Sequence, residues 1–360
     1  MAKDSVRINY IDNLRWITVS LLVLYHAAMA YNTWGEANYI FLSPEGTVAS
    51  AVTFISPWFM GLMFLLAGIS SRFSLGKRSP AAFIRERLLR LGIPLVFGIV
   101  FISSVLSYMA DLTHNGYSGN YLSHFAVFFT KLTDLTGYDG GFTFAHLWFI
   151  VVLLVYSLIL PIVIRAGSLI RGKGCKAVKT AGVTILALVS VAAFEIMFGG
   201  KPLIMYLCVF LLGYFLFSDT ETVRRLARFK WALTAAFLIV SAADVILFHF
   251  VDGFDALNTV CCYLSFATGI PALIVLGHDH LNGTNAFAGF CSKISYVFYI
   301  VHFPVTVICQ YFLAKAGAGL ILNFFLTLLI SYPVTFGICA AIEKTRYIRV
   351  LFGLRVKGRK

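Results

Sequence analysis

The chain has 360 residues, 59% hydrophobic and only 12% charged, with 34 Phe and a mean hydropathy of +0.86. That is far more apolar surface than a water-soluble domain of this size buries, so soluble classes are excluded. The net charge of +13 does not point to nucleic acid, because its distribution follows membrane topology. The sequence therefore predicts an all-α polytopic membrane protein of the cell (cytoplasmic) membrane.

Hydropathy and loop punctuation predict ten spans, at 14–31, 48–71, 93–109, 147–164, 181–198, 203–218, 231–250, 259–277, 294–314 and 319–342. The first apolar run is too long for a cleaved leader, and no small-residue cleavage site follows it at "YNTWGEANY". It is expected to stay as a signal anchor. Of the 29 Lys and Arg, all but Lys131, Lys201 and Lys315 fall on the side of the N-terminus. This positive-inside asymmetry predicts both termini in the cytoplasm and an even number of spans. Residues 1–342 read as one membrane domain, and 343–360 as a basic cytoplasmic tail.

Ionisable groups inside spans are the candidate functional residues, because burying them is expensive. In the first span His26 follows Arg15 by eleven residues, within an apolar run. Counting ~1.5 Å per residue from the cytoplasmic ends, His26, Glu195 and Asp244 lie roughly 18, 21 and 20 Å deep, in one layer of the outer half. They read either as a water-accessible cavity open to the outside or as groups paired with neighbouring helices. Asp12 reads as a helix cap whose carboxylate takes backbone donors at Asn13–Arg15. Arg15 either pairs with Asp12 or helps to bind a ligand.

Before the third span, Arg87 and Arg90 stand three apart and share a face if the segment is α-helical. Topology alone accounts for them, but two guanidinium forks also suit a phosphate-bearing ligand. The outward segment 110–146, rich in Gly, Tyr, Asn and Asp, is an ordinary loop or part of a lid over a sugar-like acceptor. In the ninth span Pro304 withholds an amide hydrogen from the carbonyl of Ile300, and His302 is a candidate donor to it or a functional group in its own right. The seven cysteines lack metal-ligand spacing and read as packing residues, so neither a metal nor a tightly bound cofactor is expected.

Taken together, these pieces resemble the acyltransferase-3 family, integral-membrane enzymes that acylate extracytoplasmic glycans and related acceptors. In "RINYIDNLRWITVSLLVLYH", Arg7, Ile11, Asp12, Leu14, Arg15 and His26 occupy the places of that family's opening motif. Arg87, Arg90, Leu91 and Pro94 fit its Arg-x-x-Arg motif. "FLLAGISSRF", "HLWFIVVLLVYSL" and "SYVFYIVHFPV" agree as well, so the resemblance covers about residues 7–342.

The resemblance implies a cytoplasmic acyl-CoA, acetyl-CoA above all, as co-substrate, and a hydroxyl of a glycan or other sugar-containing acceptor outside. Arg87, Arg90 and Arg15 are then expected at the donor phosphates. His26 is expected as general base or acyl carrier. Asp12, Glu195, Asp244 and His302 are left as supporting or acceptor-side groups. No extracellular hydrolase-like extension is expected after the last span, which leaves open whether a separate extracytoplasmic protein completes the reaction. A secondary transporter for a polar or anionic solute is the alternative: ten spans, interrupting prolines and buried Glu, Asp and His fit it, but no inverted repeat is found. The small outward loops give little motive for a scaffold or glycan receptor.

Overall fold

The computed structural model describes the backbone of residues 8–170 and 176–356, and the side chains of all of these except 167–170 and 176–183. Sequence readings that fall on Lys3, Arg7, Arg171, Lys173, Cys175 and Lys357–Lys360 lie outside the described residues. Among the described residues the fold is all helical; its β structure is a single isolated bridge between Phe198 and Lys201.

The helices are α1 (Asn9–Met29), α2 (Gly46–Leu75), α3 (Pro80–His114), α4 (Tyr121–Thr130), α5 (Trp148–Ile170) and α6 (Lys176–Ala192). They continue with α7 (Leu203–Phe217), α8 (Thr220–Ala227), α9 (Lys230–His249), α10 (Asp255–His280), α11 (Ala286–Lys315), α12 (Leu320–Lys344) and the single turn α13 (Ile348–Leu351).

Each expected span meets a helix, but among the described residues seven are long and apolar enough to cross a membrane: α2, α3, α5 and α9–α12. An eighth is reached if α7 and α8, bent by 94°, make one broken span. α1 falls short because Asp12, Asn13, Arg15 and His26 dilute its apolar run, and α6 because 17 of its residues are described. Side chains such as Val96, Ile162, Ile239 and Leu329, each more than 60% exposed, give these helices an apolar outer surface that suits lipid and not water.

Several boundaries differ from expectation. α1 begins at Asn9 and not near 14, so Asp12 lies inside the helix and is not its cap. The basic linker before the third span is itself helical and continuous with it, giving the 35 residues of α3. That helix is widened by π turns at Leu88–Gly92 and Ile99–Ser103, on either side of Pro94, whose missing N–H already interrupts the regular ladder. α6 ends at Ala192, which leaves Glu195 in the following turn and outside the helix.

The chain divides into two compact units. The first comprises Met1–Thr18, Phe54–Ile84 and Val155–Lys293. In it α2 and α7 approach until only hydrogen fits at two facing positions: a Cβ on Gly68 would meet the Phe210 carbonyl at 2.0 Å, and one on Gly213 the Leu65 carbonyl at 2.2 Å. Small residues permit such approach where the hydrophobic effect offers no drive between helices. Asn13 donates Nδ2 to the carbonyls of Leu281 and Gly283, at 2.7 and 2.9 Å, so the first turns of α1 are held at the end of α10.

The second unit comprises Val19–Thr53, Arg85–Leu154 and Ile294–Lys360. Its core gathers Ala27, Tyr31, Tyr39, Leu106, Phe303 and Phe324. Tyr31 Oη donates to the carbonyl of Leu320 at 3.0 Å, and Tyr332 Oη to that of Ser20 at 2.9 Å, fixing the second half of α1 to α12. Segment 110–146 is built in the same way: Tyr39 donates to the carbonyl of Thr136 (2.7 Å), and a His114 ring nitrogen to that of Asn38 (2.7 Å). The start of the basic tail is packed, not free. Phe352 is buried against Phe97 (ring centroids 5.1 Å apart), and Arg349 is buried beside Glu343.

Candidate active site

The second unit brings three histidines together from distant parts of the chain. His26, three residues from the end of α1, stacks on Phe303 with ring centroids 3.6 Å apart. Its centroid is 5.3 Å from that of His302 on α11. His146, just before α5, meets His302 edge to face at 5.2 Å. His302 is fully buried and His146 nearly so, while His26 is partly exposed.

Pro304 explains how His146 is held. Without an amide hydrogen, it leaves the Ile300 carbonyl without its helical donor. His146 Nε2 donates to that oxygen at 3.0 Å. Tyr299 Oη in turn donates to the backbone carbonyl of His146. Of the two roles that the sequence left open for His302, donor to Ile300 or functional group, the structure does not show the first. A helical side chain leans toward the N-terminus and reaches the carbonyls three and four residues back, not two. His302 Nδ1 accordingly donates to Tyr299 (2.8 Å) and lies 3.1 Å from the Phe298 carbonyl.

Carbonyl oxygens only accept, so these bonds assign the protons to Nδ1 of His302 and Nε2 of His146. The other nitrogen of each ring carries a lone pair. Both of those atoms, His302 Nε2 and His146 Nδ1, are buried and have no protein partner among the described residues.

A groove of about 560 Å³ opens in the same unit between Phe41–Pro44 and the α11–α12 turn, with Asn323 on its wall. Asn323 Nδ2 donates to the Gln310 carbonyl (3.2 Å), and Gln310 Nε2 to the carbonyl of Ala27, next to His26 (2.9 Å). A chain of amides thus runs from the groove wall to the residue beside the imidazole.

Arg87 and Arg90 belong to the same unit as the three histidines. Their shared-face argument changes, because the backbone between them enters the π turn of α3. Arg87 is half-buried, whereas Arg90 is exposed and pairs with Glu86 at 3.3 Å.

The remaining predicted residues lie in the first unit. Arg15 donates to Asp12 (2.9 Å) and to Ser70 (2.7 Å), so it makes the expected ion pair. Asp244 is buried and accepts from Asn258 Nδ2 at 2.8 Å, and the exposed Glu195 accepts from Tyr263. His26 and His302 are therefore brought together, while Glu195 and Asp244 each have a partner within their own unit. The residue that sequence reasoning missed is His146. Its signal was present in "HLWFIVVLLVYSL", where a histidine precedes a span, but nothing local says what it faces.

The fold and this interior define a multi-pass helical membrane protein with a candidate acid–base site built from buried imidazoles. Residues 8–344 match the family model described as an acyltransferase domain, so the chain belongs to the acyltransferase-3 family and is an acyltransferase. No curated protein and no solved structure shows a significant match.

Proposed function

We propose that the protein transfers a short acyl group, acetyl above all, from cytoplasmic acyl-CoA to a hydroxyl of an extracytoplasmic glycan or related sugar-containing acceptor. In this reading it lies in the cell membrane as ten spans with both termini inside. The supporting observation is that one compact unit holds His26, the two histidines around it and the Arg87–Arg90 pair.

His26 serves as general base. Imidazole titrates near neutrality and can take a hydroxyl proton at working pH. As the acceptor oxygen bonds to the thioester carbon, its proton passes to His26. The carbon–sulfur bond then breaks, and the departing CoA thiolate recovers the proton from the imidazolium. Arg87 and Arg90 hold donor phosphates through charge-assisted hydrogen bonds.

The test has two arms. Purified protein in detergent is given acetyl-CoA, and free CoA thiol is followed with and without a glycan extract. Surface glycans of cells with and without the gene are compared by mass spectrometry. Acceptor-stimulated thiol release and a gene-dependent acyl mass on the glycan are expected. Absence of both would leave a transporter as the better reading.

A further inference from the structure

Beyond residue 344, where the family match ends, the chain forms a folded hook. Thr345 closes α12, and its Oγ1 accepts from the Arg349 N–H at 3.1 Å. The carbonyl of Arg349 accepts in turn from the N–H groups of Phe352 (3.2 Å) and Leu354 (3.0 Å), which curls α13 and the residues after it into a compact turn. Arg349 is buried with its guanidinium 3.6 Å from Glu343, so the hook is tied back to the end of α12. General-base catalysis by His26 gives this hook no task.

The hook lies against the stretch of α3 that carries Arg90. Phe352 is buried with its ring 5.1 Å from that of Phe97, and α13 packs along Ile93–Gly98. Gly353 comes closer still. Its φ of +76° suits glycine, and a Cβ there would lie 2.7 Å from the Tyr296 ring and 3.0 Å from the Arg90 carbonyl. The hook therefore touches α3 on both sides of Pro94.

That is where α3 is held least firmly by its own hydrogen bonds. Pro94 has no N–H to give the Arg90 carbonyl, its partner in a regular α-helix. π turns at Leu88–Gly92 and Ile99–Ser103 replace the regular ladder on either side. A helix bends at such interruptions, and packing from outside fixes the course it takes. The first π turn begins directly after Arg87, so its course sets where Arg90 stands relative to Arg87.

We propose that Gly353 and Phe352 are positioning residues for acyl-CoA binding: the hook braces the π turn so that Arg87 and Arg90 are spaced for the donor's phosphates. The proposal rests on the acyl-transfer reading given above, and adds to it a determinant outside the matched family domain. Neither residue contacts the donor; both act through Arg90.

The experiment measures binding of labelled acetyl-CoA to the full chain in detergent by equilibrium dialysis, with thermal unfolding of each variant alongside. Gly353→Ala adds a methyl group where Tyr296 and the Arg90 carbonyl leave no room. It should raise Kd several-fold, up to the roughly tenfold of one lost charge-assisted bond. Arg90→Ala should weaken binding at least as much. The double variant should bind no worse than Arg90→Ala alone, because a brace for Arg90 has nothing to place once the guanidinium is gone. A hook that only stabilised the fold would add its loss in full. Phe352→Ala should behave like Gly353→Ala, whereas Phe352→Leu, which keeps an apolar side chain against Phe97, should bind closer to the parent. The Phe352 pair decides if Gly353→Ala does not fold. Parental Kd in a folded Gly353→Ala, Phe352→Ala or Arg90→Ala protein, or losses that multiply in the double variant, overturns the assignment while leaving acyl transfer intact. A folded parent that binds no acetyl-CoA overturns the donor reading and this assignment together.

Discussion

His146 donates its Nε2 proton to the carbonyl of Ile300, the one acceptor that Pro304 leaves without its helical donor. The proline and the histidine are 158 residues apart, yet each gives the other its structural reason.

This coupling predicts a non-additive pair of substitutions. His146→Phe strands a buried carbonyl, which should destabilise the protein by about 1–3 kcal/mol. Pro304→Ala restores an N–H to the helical ladder at that carbonyl. Thermal unfolding in detergent should therefore show the double variant losing less than the sum of the two single losses. Simple additivity would mean that His146 is not held by the freed carbonyl.

Acyl transfer should depend on the imidazole of His26. His26→Ala is expected to insert and fold while transfer falls at least about 10²-fold, as on losing a general acid–base group. His26→Gln keeps hydrogen bonding but cannot shuttle a proton near neutrality, so it should be nearly as impaired. Donor binding, measured by equilibrium dialysis with labelled acetyl-CoA, should survive in both. Near-parental transfer by His26→Gln at equal expression would reduce the residue to a structural hydrogen-bonder.

Arg87 and Arg90 should be sensitive even to conservative change. Lysine keeps the charge but cannot reproduce the planar two-pronged contact with phosphate. Losing one charge-assisted bond of about 1.5 kcal/mol corresponds to roughly tenfold weaker acyl-CoA binding. Because Arg90 is exposed and already paired with Glu86, the half-buried Arg87 is expected to show the larger effect. Arg87→Lys and Arg90→Lys proteins that bind acyl-CoA like the parent would leave the pair as a topology signal.

Orientation is tested from outside the cell. An impermeant maleimide should label a cysteine placed at Asn115, in the outward segment, and miss one placed at Lys77, between α2 and α3. The reverse pattern would put the donor arginines on the wrong side for cytoplasmic acyl-CoA.

What the sequence determined by itself follows from composition and local pattern. Apolar runs of span length have few alternatives to the membrane, since helices satisfy their own backbone there. The Asp12–Arg15–His26 and Arg87–Arg90 motifs could be read in one dimension and carried the family. Even so, local reasoning went wrong wherever a distant partner intervened. Asp12 was read as a cap because the apolar run begins near Leu14. The helix starts at Asn9, with Asn13 held by Leu281 and Gly283 carbonyls and Arg15 bonded to Ser70 as well as Asp12.

The site itself was a tertiary decision. The sequence correctly marked the Ile300 carbonyl as freed, but the one candidate donor it offered was His302, two residues along the same helix. Side chains on a helix lean back toward carbonyls three and four residues earlier, so only a group from another segment was available to fill the place. His146 supplied it, and its ring lies beside that of His302, which in turn neighbours His26. No period or spacing encodes that meeting, because a hydrogen bond between residues 154 apart depends on which helices pack together.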